Sequence, residues 1–271
     1  TYCPLCNSGL AFERTVDGEV LDFGTSGRLF QSNLVMYDRQ HKSLWIQFTG
    51  EAVVGEPWVG TELERISTAL VSWETFKENH PDGWVLGRDT GHNRNYGRNP
   101  YPNYEDRGSS FLFEGPTDDR LPPNTRVVGL SAEDDTDPVA IVLQHLRDER
   151  VVRLDDIGGQ AVTAWWAPGT ASALDASDID EGRDVGQTAS YRPLGPDGQT
   201  LHFSVSDEDE TRFVDDETGS TWNFDGKAIG GELEGAQLEA IPRDDTFWFV
   251  WFSFRPETDV LGASALDSDG G

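Results

Sequence analysis

Two stretches of this chain carry the same residues in the same order, so its fold must accommodate one pattern twice. Asp17-Gly18 followed by Leu21 and Phe23 returns as Asp197-Gly198 followed by Leu201 and Phe203. Ser43-Leu44-Trp45 returns as Ser220-Thr221-Trp222, and Gly50-Glu51-Ala52 as Gly226-Lys227-Ala228. Gly55, Leu63, Ile66, Trp73, Pro81 and Val85-Leu86 match Gly231, Leu238, Ile241, Trp248, Pro256 and Val260-Leu261, with unchanged spacing from Ile66 onward. Carried backward, the register sets Cys3-Pro4-Leu5-Cys6 against Ala167-Pro168-Gly169-Thr170. A dithiol therefore stands in one copy alone. The second copy opens at Val127-Val128-Gly129, about 40 residues ahead of Ala167, whereas two residues precede Cys3. The expected organisation is a first repeat over 1–125 lacking its N-terminal ~40 residues, a second repeat over 126–263 without cysteines, and a polar tail over 264–271.

Within each copy the apolar runs are short and turn-bounded. Phe12, Val16, Val20, Leu21 and Phe23 flank Asp17-Gly18, a hairpin signal. Leu34–Tyr37 and Leu44–Phe48 are further strands, with Gly50, Gly55 and Gly60 at tight connections. Ser72 is placed to cap a short helix carrying Trp73 and Phe76 that ends before Pro81. A second helix is expected over Pro138–Arg147, and the all-apolar run Phe247–Phe252 is expected to be buried. The class is α+β, predominantly β: two tandem pseudo-repeated β-rich halves with short helices.

Charge narrows the partners. There are 49 acidic against 21 basic residues, net −28, and only Lys42, Lys77 and Lys227 are lysines. The acids are spread through every segment, which fits a salt-adapted (halophilic) surface. Self-repulsion opposes compaction at low salt, and near 1 M salt the Debye length of about 3 Å removes most of it. Nucleic acid is disfavoured as a partner because counterion release needs Lys/Arg patches. No apolar run of 18 or more residues is present to span a membrane as a helix.

Two segments break the repeat. Residues 173–190 are acidic and read as a surface loop; their Asp175, Asp178, Asp180, Glu181 and Asp184 lack the glycine offset of an EF-hand. Residues 87–107 hold four arginines and three of six tyrosines, a cationic island in an acidic chain. Arg94 and Arg98 are candidates to bind an anionic group, with Tyr96, Tyr101 and Tyr104 as walls or donors. The competing account is an ordered loop whose arginines pair with neighbouring acids.

Cys3 and Cys6 are the only cysteines and admit three readings. As a staple, a four-residue loop contributes roughly 2 kcal/mol against about 4.7 for a hundred-residue one. As metal ligands they lack the second arm that zinc needs, although a soft metal such as copper held by Cys3, Cys6 and Met36 or a histidine stays open. As a redox pair, one thiol attacks and the other resolves. No Gly-x-Ser-x-Gly, His-Glu-x-x-His, P-loop or dinucleotide fingerprint occurs.

Thr1-Tyr-Cys-Pro-Leu-Cys-Asn-Ser-Gly9, Phe23-Gly-Thr-Ser-Gly-Arg-Leu29, Ser32-Asn-Leu-Val-Met-Tyr-Asp-Arg39 and Ser43-Leu-Trp45 together resemble the DUF3179 family. Asp89-Thr-Gly91, Tyr96, Asn99-Pro-Tyr101, Thr218-Gly-Ser220 and Phe247-Trp-Phe249 extend the likeness over essentially the whole chain. The resemblance implies an extracytoplasmic protein, exported or lipid-anchored through a segment ahead of Thr1, from bacteria or salt-loving archaea, with no established reaction. It also sets a threonine where this chain has His41. The expectation is a dithiol site at Cys3/Cys6 in thiol redox or soft-metal (copper) handling, with residues 87–107 in its cleft. The alternative is a non-catalytic surface or assembly module, with a protein partner at the cell surface and structural cysteines.

Overall fold

This computed structural model describes residues 1–107, 112–132 and 136–267. Short strands dominate, and the described residues include three short α-helices: α1 (Trp73–Asn79), α2 (Leu143–Glu149) and α3 (Trp248–Phe254). The chain is thus α+β and predominantly β, as its patterning implies. No helix among the described residues is long and apolar enough to cross a membrane. The polar tail lies outside the described residues from 268 on.

Contacts divide the chain into two compact units that are not cut at the repeat boundary. The first takes Thr1–Thr68, Gly108–His145 and Ile241–Gly271; the second takes Ala69–Arg107 and Leu146–Ala240. Each therefore draws on both stretches of the repeated pattern.

The first unit is built on a four-stranded antiparallel meander, Phe23–Phe30, Asn33–Asp38, Leu44–Ile46 and Ala52–Val54. Alternation along these strands sends Met36 and Trp45 into a core with Val16, Leu21, Ala52, Trp58 and Leu63. Asp17 and Gly18 both have positive φ and join Thr15–Val16 to Glu19–Val20, as the Asp-Gly signal requires. A second sheet in this unit orders Asp244–Phe247, Arg126–Leu130, Val139–Val142 and Asp259–Leu261, the last pair parallel. Here the sequence expectation needs correcting. Pro138–Arg147 is not one helix: Val139–Val142 is a strand and α2 begins at Leu143. The β-branched run Val139, Ile141, Val142 gains more from a central ladder than from helix. Phe247–Phe252 is buried at its core, starting in a strand and turning into α3.

The second unit has its own meander, Phe203–Val205, Phe213–Asp215, Thr221–Trp222 and Ala228–Gly230. It packs beside a three-stranded sheet, Val151–Ile157, Gln160–Ala167 and Gln187–Tyr191. Trp165 stacks on Phe213 with ring centroids 4.1 Å apart, in a core with Tyr191, Leu201, Trp222, Phe224 and Leu238. The expected surface loop over 173–190 is shorter than its polarity suggested, because Gln187–Tyr191 is a fully buried strand. Ser72 caps α1 as expected, its hydroxyl accepting from the Thr75 N–H at 3.1 Å.

The two meanders agree in strand order and in detail. Asp38 accepts the Trp45 indole N–H at 3.1 Å, and Asp215 accepts that of Trp222 at 2.8 Å. A Cβ on Gly55 would lie 2.8 Å from the Ser43 Cα, and one on Gly231 would lie 2.6 Å from the Ser220 Cα. Both glycines also have positive φ, so only glycine fits either place.

Candidate functional site: a buried dithiol corner

Tyr2–Cys3 pairs antiparallel with Ser8–Gly9, Cys3 opposite Ser8. The link between them is a tight turn in which the Cys6 N–H donates to the Cys3 carbonyl at 3.2 Å and Asn7 has φ +53°. This folds Cys6 back onto Cys3. Their sulfurs stand 3.1 Å apart, unbridged, with Cys3 2 % exposed and Cys6 0 %. The turn is pinned from outside as well: the Cys6 carbonyl accepts the Phe247 N–H at 3.1 Å and the Thr246 hydroxyl at 2.8 Å.

A chain of buried polar side chains leads from Cys6 Sγ through Asn33 and Gln47 to Ser8. Asn33 Nδ2 donates to Cys6 Sγ at 3.5 Å and to Gln47 Oε1 at 2.6 Å, while Asn33 Oδ1 accepts the Phe48 N–H at 2.9 Å. Gln47 Nε2 in turn donates to the Ser8 carbonyl at 3.2 Å. Asn33, Gln47 and Ser8 are all buried. The Ser32 carbonyl lies 3.5 Å from Cys6 Sγ and 3.9 Å from Cys3 Sγ, placed to accept a thiol proton. Ser32 and Gln31 form the two-residue turn of the long hairpin, both with positive φ (62° and 50°). Neither is the glycine or asparagine such a turn favours, so each costs on the order of 1 kcal/mol. Ser32 Oγ is buried without a hydrogen-bond partner.

This environment divides the two thiols. The hydrogen bond from Cys6 pulls the Cys3 thiol below the ordinary cysteine range; burial opposes this, and backbone N–H groups of Leu34, Cys6 and Leu5 assist it. Cys6 goes the other way: burial, its bond to Cys3 and the Cys3 charge push it well up, against a smaller lowering by Asn33. The first proton of the pair is thus favoured to leave Cys3, while Cys6 keeps its own and donates it to the Cys3 sulfur.

The other residues singled out by sequence lie elsewhere. Met36 sits in the meander core with Val16, Leu21 and Trp45, on the face of its strand opposite Asn33. Among the described residues no group of three or more His, Cys, Asp or Glu is placed to hold a metal ion. Residues 97–105 belong to the second unit and are laced to residues 172–183. The Asn99, Asn103 and Tyr104 N–H groups donate to the carbonyls of Ser177, Asp175 and Leu174 at 2.9, 2.6 and 3.1 Å. Arg98 is paired with Asp178 at 2.7 Å, Tyr104 is fully buried beside Tyr101, and the Tyr96 hydroxyl lies 2.5 Å from that of Thr90. Arg94 is exposed. Glu105, buried, bonds both Ser172 and Arg183. Asp184 accepts the N–H groups of Gly169, Thr170 and Gly186 at 2.8 to 3.1 Å, a turn-closing role.

The chain belongs to the DUF3179 family. The family model, described as a protein of unknown function, matches residues 1–258. No curated protein and no solved structure matches the chain. Membership thus carries no reaction with it, and chemistry has to be argued from the dithiol corner. Asn33, Gln47, Ser8 and Ser32 were not singled out from sequence as site residues. One signal was available: Gln47 interrupts the apolar run Leu44–Phe48, while the residue at the same distance after Trp222 is Phe224.

Proposed function

We propose that Cys3 and Cys6 form a two-electron thiol redox centre of an extracytoplasmic, salt-adapted protein. The observation that carries this is the asymmetric pair: two reduced sulfurs 3.1 Å apart, one biased to thiolate and its neighbour biased to thiol. The co-reactant class is a small disulfide. Cys3 thiolate attacks one of its sulfurs, the S–S bond breaks, and the distal sulfur leaves as a thiolate that takes up a proton. Cys6 then gives up its own proton and attacks Cys3 Sγ, expelling the second reagent thiol. Two electrons pass from the dithiol to the reagent, leaving a Cys3–Cys6 disulfide. Burial of both sulfurs means that the turn Gln31–Ser32 or Pro4–Leu5 opens first, which favours a small reagent over a folded protein.

Soft-metal handling is the second chemistry the same pair supports, with one copper(I) replacing the shared proton. The reading that burial favours instead is a non-catalytic surface or assembly module with structural cysteines. Equilibration at high salt against a graded thiol/disulfide buffer, with free thiols counted by mass spectrometry, separates these. Reversible, concerted loss of two thiols in the native protein supports the redox centre. Thiols that stay reduced until the protein unfolds support the structural role. One equivalent of bound copper(I), lost in the Cys3→Ser variant, supports metal handling.

A further inference from the structure

The two short helices α1 and α3 occupy equivalent places in the repeated pattern. Both are seven residues long, and their C-caps match: His80 has φ −130°, ψ 65° and Arg255 has φ −137°, ψ 71°. The cap N–H bonds match too, His80 to the Phe76 carbonyl and Arg255 to that of Trp251. By the same spacing, Ala69–Ser72 answers to Asp244–Phe247, and Trp84–Leu86 to Asp259–Leu261.

The surroundings of the two frames differ completely. In the first unit, Asp244–Phe247 and Asp259–Leu261 are outer strands, and the antiparallel pair Arg126–Leu130 and Val139–Val142 fills the space between them. In the second unit, the counterparts are in no sheet. Ala69, Leu70, Val71, Trp84, Val85 and Leu86 make no backbone hydrogen bond to a described residue. Trp248 is 1 % exposed, whereas its counterpart Trp73 is 54 % exposed. Trp84 and Leu86 are exposed to 96 % and 89 %, although Leu261, the counterpart of Leu86, is partly buried. Leaving Trp, Val and Leu in water at consecutive positions is costly, and unpaired extended backbone invites strand addition. The frame is nonetheless held in place, by His80 against Asp225 at 3.1 Å and by Val71 against the second unit's core.

We propose that Ala69–Ser72 and Trp84–Leu86 are the outer strands of a second four-stranded sheet, completed by a β-hairpin in the polypeptide ahead of Thr1. What specifies the occupant is the filled frame. The antiparallel pair there is Arg126–Leu130 and Val139–Val142, with Val127, Val128, Leu130, Ala140, Ile141 and Val142 buried. It precedes Ala167, and Ala167 pairs with Gln187 as Cys3 pairs with Ser8. The missing hairpin belongs at the matching distance ahead of Cys3, with the same continuous apolar, β-branched-rich strands. Its N-terminal strand runs antiparallel to Ala69–Ser72 and its second strand parallel to Trp84–Leu86. This inference does not rest on any chemistry of the cysteines.

Hydrogen exchange at high salt, on the Thr1–Gly271 chain and on the chain extended to its natural start, tests it. The expected result is at least about 100-fold slower exchange of the Leu70, Val71, Val85 and Leu86 amides in the extended chain. Fast exchange in both chains overturns the proposal. So does slow exchange in Thr1–Gly271 itself: if protection rises with protein concentration and sedimentation shows a dimer, a second copy fills the frame; if it is independent of concentration, the frame is closed already. As a check that needs no exchange data, Leu86→Asp should lower the melting temperature of the extended chain and leave that of Thr1–Gly271 unchanged. Equal effects on both would contradict the proposal.

Discussion

The corner at Cys3 and the corner at Ala167 share a pattern of strand pairing and differ in the chain that joins the strands and in what lines them. Cys3 faces Ser8 across an antiparallel pair, and Phe12, four residues on from Ser8, faces Arg65. Ala167 faces Gln187, and Tyr191, four residues on, faces Ala240. Phe12 closes over Gly50, and Tyr191 closes over Gly226. In the first corner buried Asn33 reaches Cys6 Sγ and bonds Gln47, which bonds Ser8; in the second there is no thiol, and buried Gln187 stands opposite Ala167 beside a core of Trp165, Tyr191 and Phe224. We infer that Asn33 is retained for the thiols, since it donates to Cys6 and burying it costs stability unless each of its groups is paired. The same likeness supports descent of both regions from one duplicated ancestor.

The largest expected effect tests what the two regions share. Asp38 accepts the Trp45 indole and the N–H groups of His41 and Ser43; Asp215 accepts the Trp222 indole and the N–H and hydroxyl of Thr218. Replacing either by alanine orphans those donors and should cost about 3 kcal/mol, read from urea or thermal unfolding at high salt. A large cost at one aspartate and none at the other would break the equivalence. For Asp38 the pH dependence follows. Burial raises its pKa, but the N–H of His41, the Trp45 indole and the N–H of Ser43 outweigh it and leave the carboxyl below its usual value. A depressed folded pKa means stability is fully present above the unfolded value of about 3.9 and is lost as pH falls through the folded one. Wild type should therefore lose stability below about pH 4 more steeply than Asp38→Asn; parallel acid profiles would contradict this assignment.

The next effect tests what the regions do not share. Asn33→Leu removes the donor to Cys6 and leaves Gln47 Oε1 and the Phe48 N–H unpaired. It should cost about 2 kcal/mol. Because Asn33 lowers the Cys6 pKa, the variant should also push that thiol further up, visible as still slower alkylation of Cys6 at pH 9 to 10 than in wild type, roughly. Loss of stability with unchanged thiol behaviour would make Asn33 a packing residue only.

The smallest effect concerns His41. Thr218, at the matching place, has its hydroxyl 2.8 Å from Asp215 Oδ1 and 2.7 Å from Ser220 Oγ. In the first region His41 turns outward to Glu19 at 3.0 Å and edges onto Trp58, and the buried Ser43 Oγ has no partner. His41→Thr should restore that hydroxyl pair and gain about 0.5 kcal/mol net of the lost surface ion pair. A loss of stability would mean that the Trp58 contact outweighs the hydroxyl.

Much of this was legible in the residues. Asp-Gly turns, alternating strands and the Ser72 cap are local signals, and local signals fixed the hairpin, the meander strands and α1. The strand Val139–Val142 reads as helix from its own residues because its pairing partners, Arg126–Leu130 and Asp259–Leu261, are supplied from both sides in sequence. No short window contains that information. The acidity of 173–190 hid Gln187–Tyr191, whose burial depends on Trp165 and Trp222 rather than on its own polarity. At the site the cysteines announced themselves by their scarcity, whereas Asn33 and Gln47 act only through a long-range convergence. The Arg/Tyr segment announced itself too, and its Arg98 and Tyr104 are engaged with residues 172–183.

Alkylation of the reduced native protein with iodoacetamide across pH 6 to 10, with each cysteine quantified by mass spectrometry, tests the central claim most directly. The account predicts that Cys3 is modified first, with a midpoint below the roughly 8.5 of a free thiol, and that Cys6 lags throughout. Equal rates at the two sulfurs, or no modification of either below the unfolding transition, would contradict it.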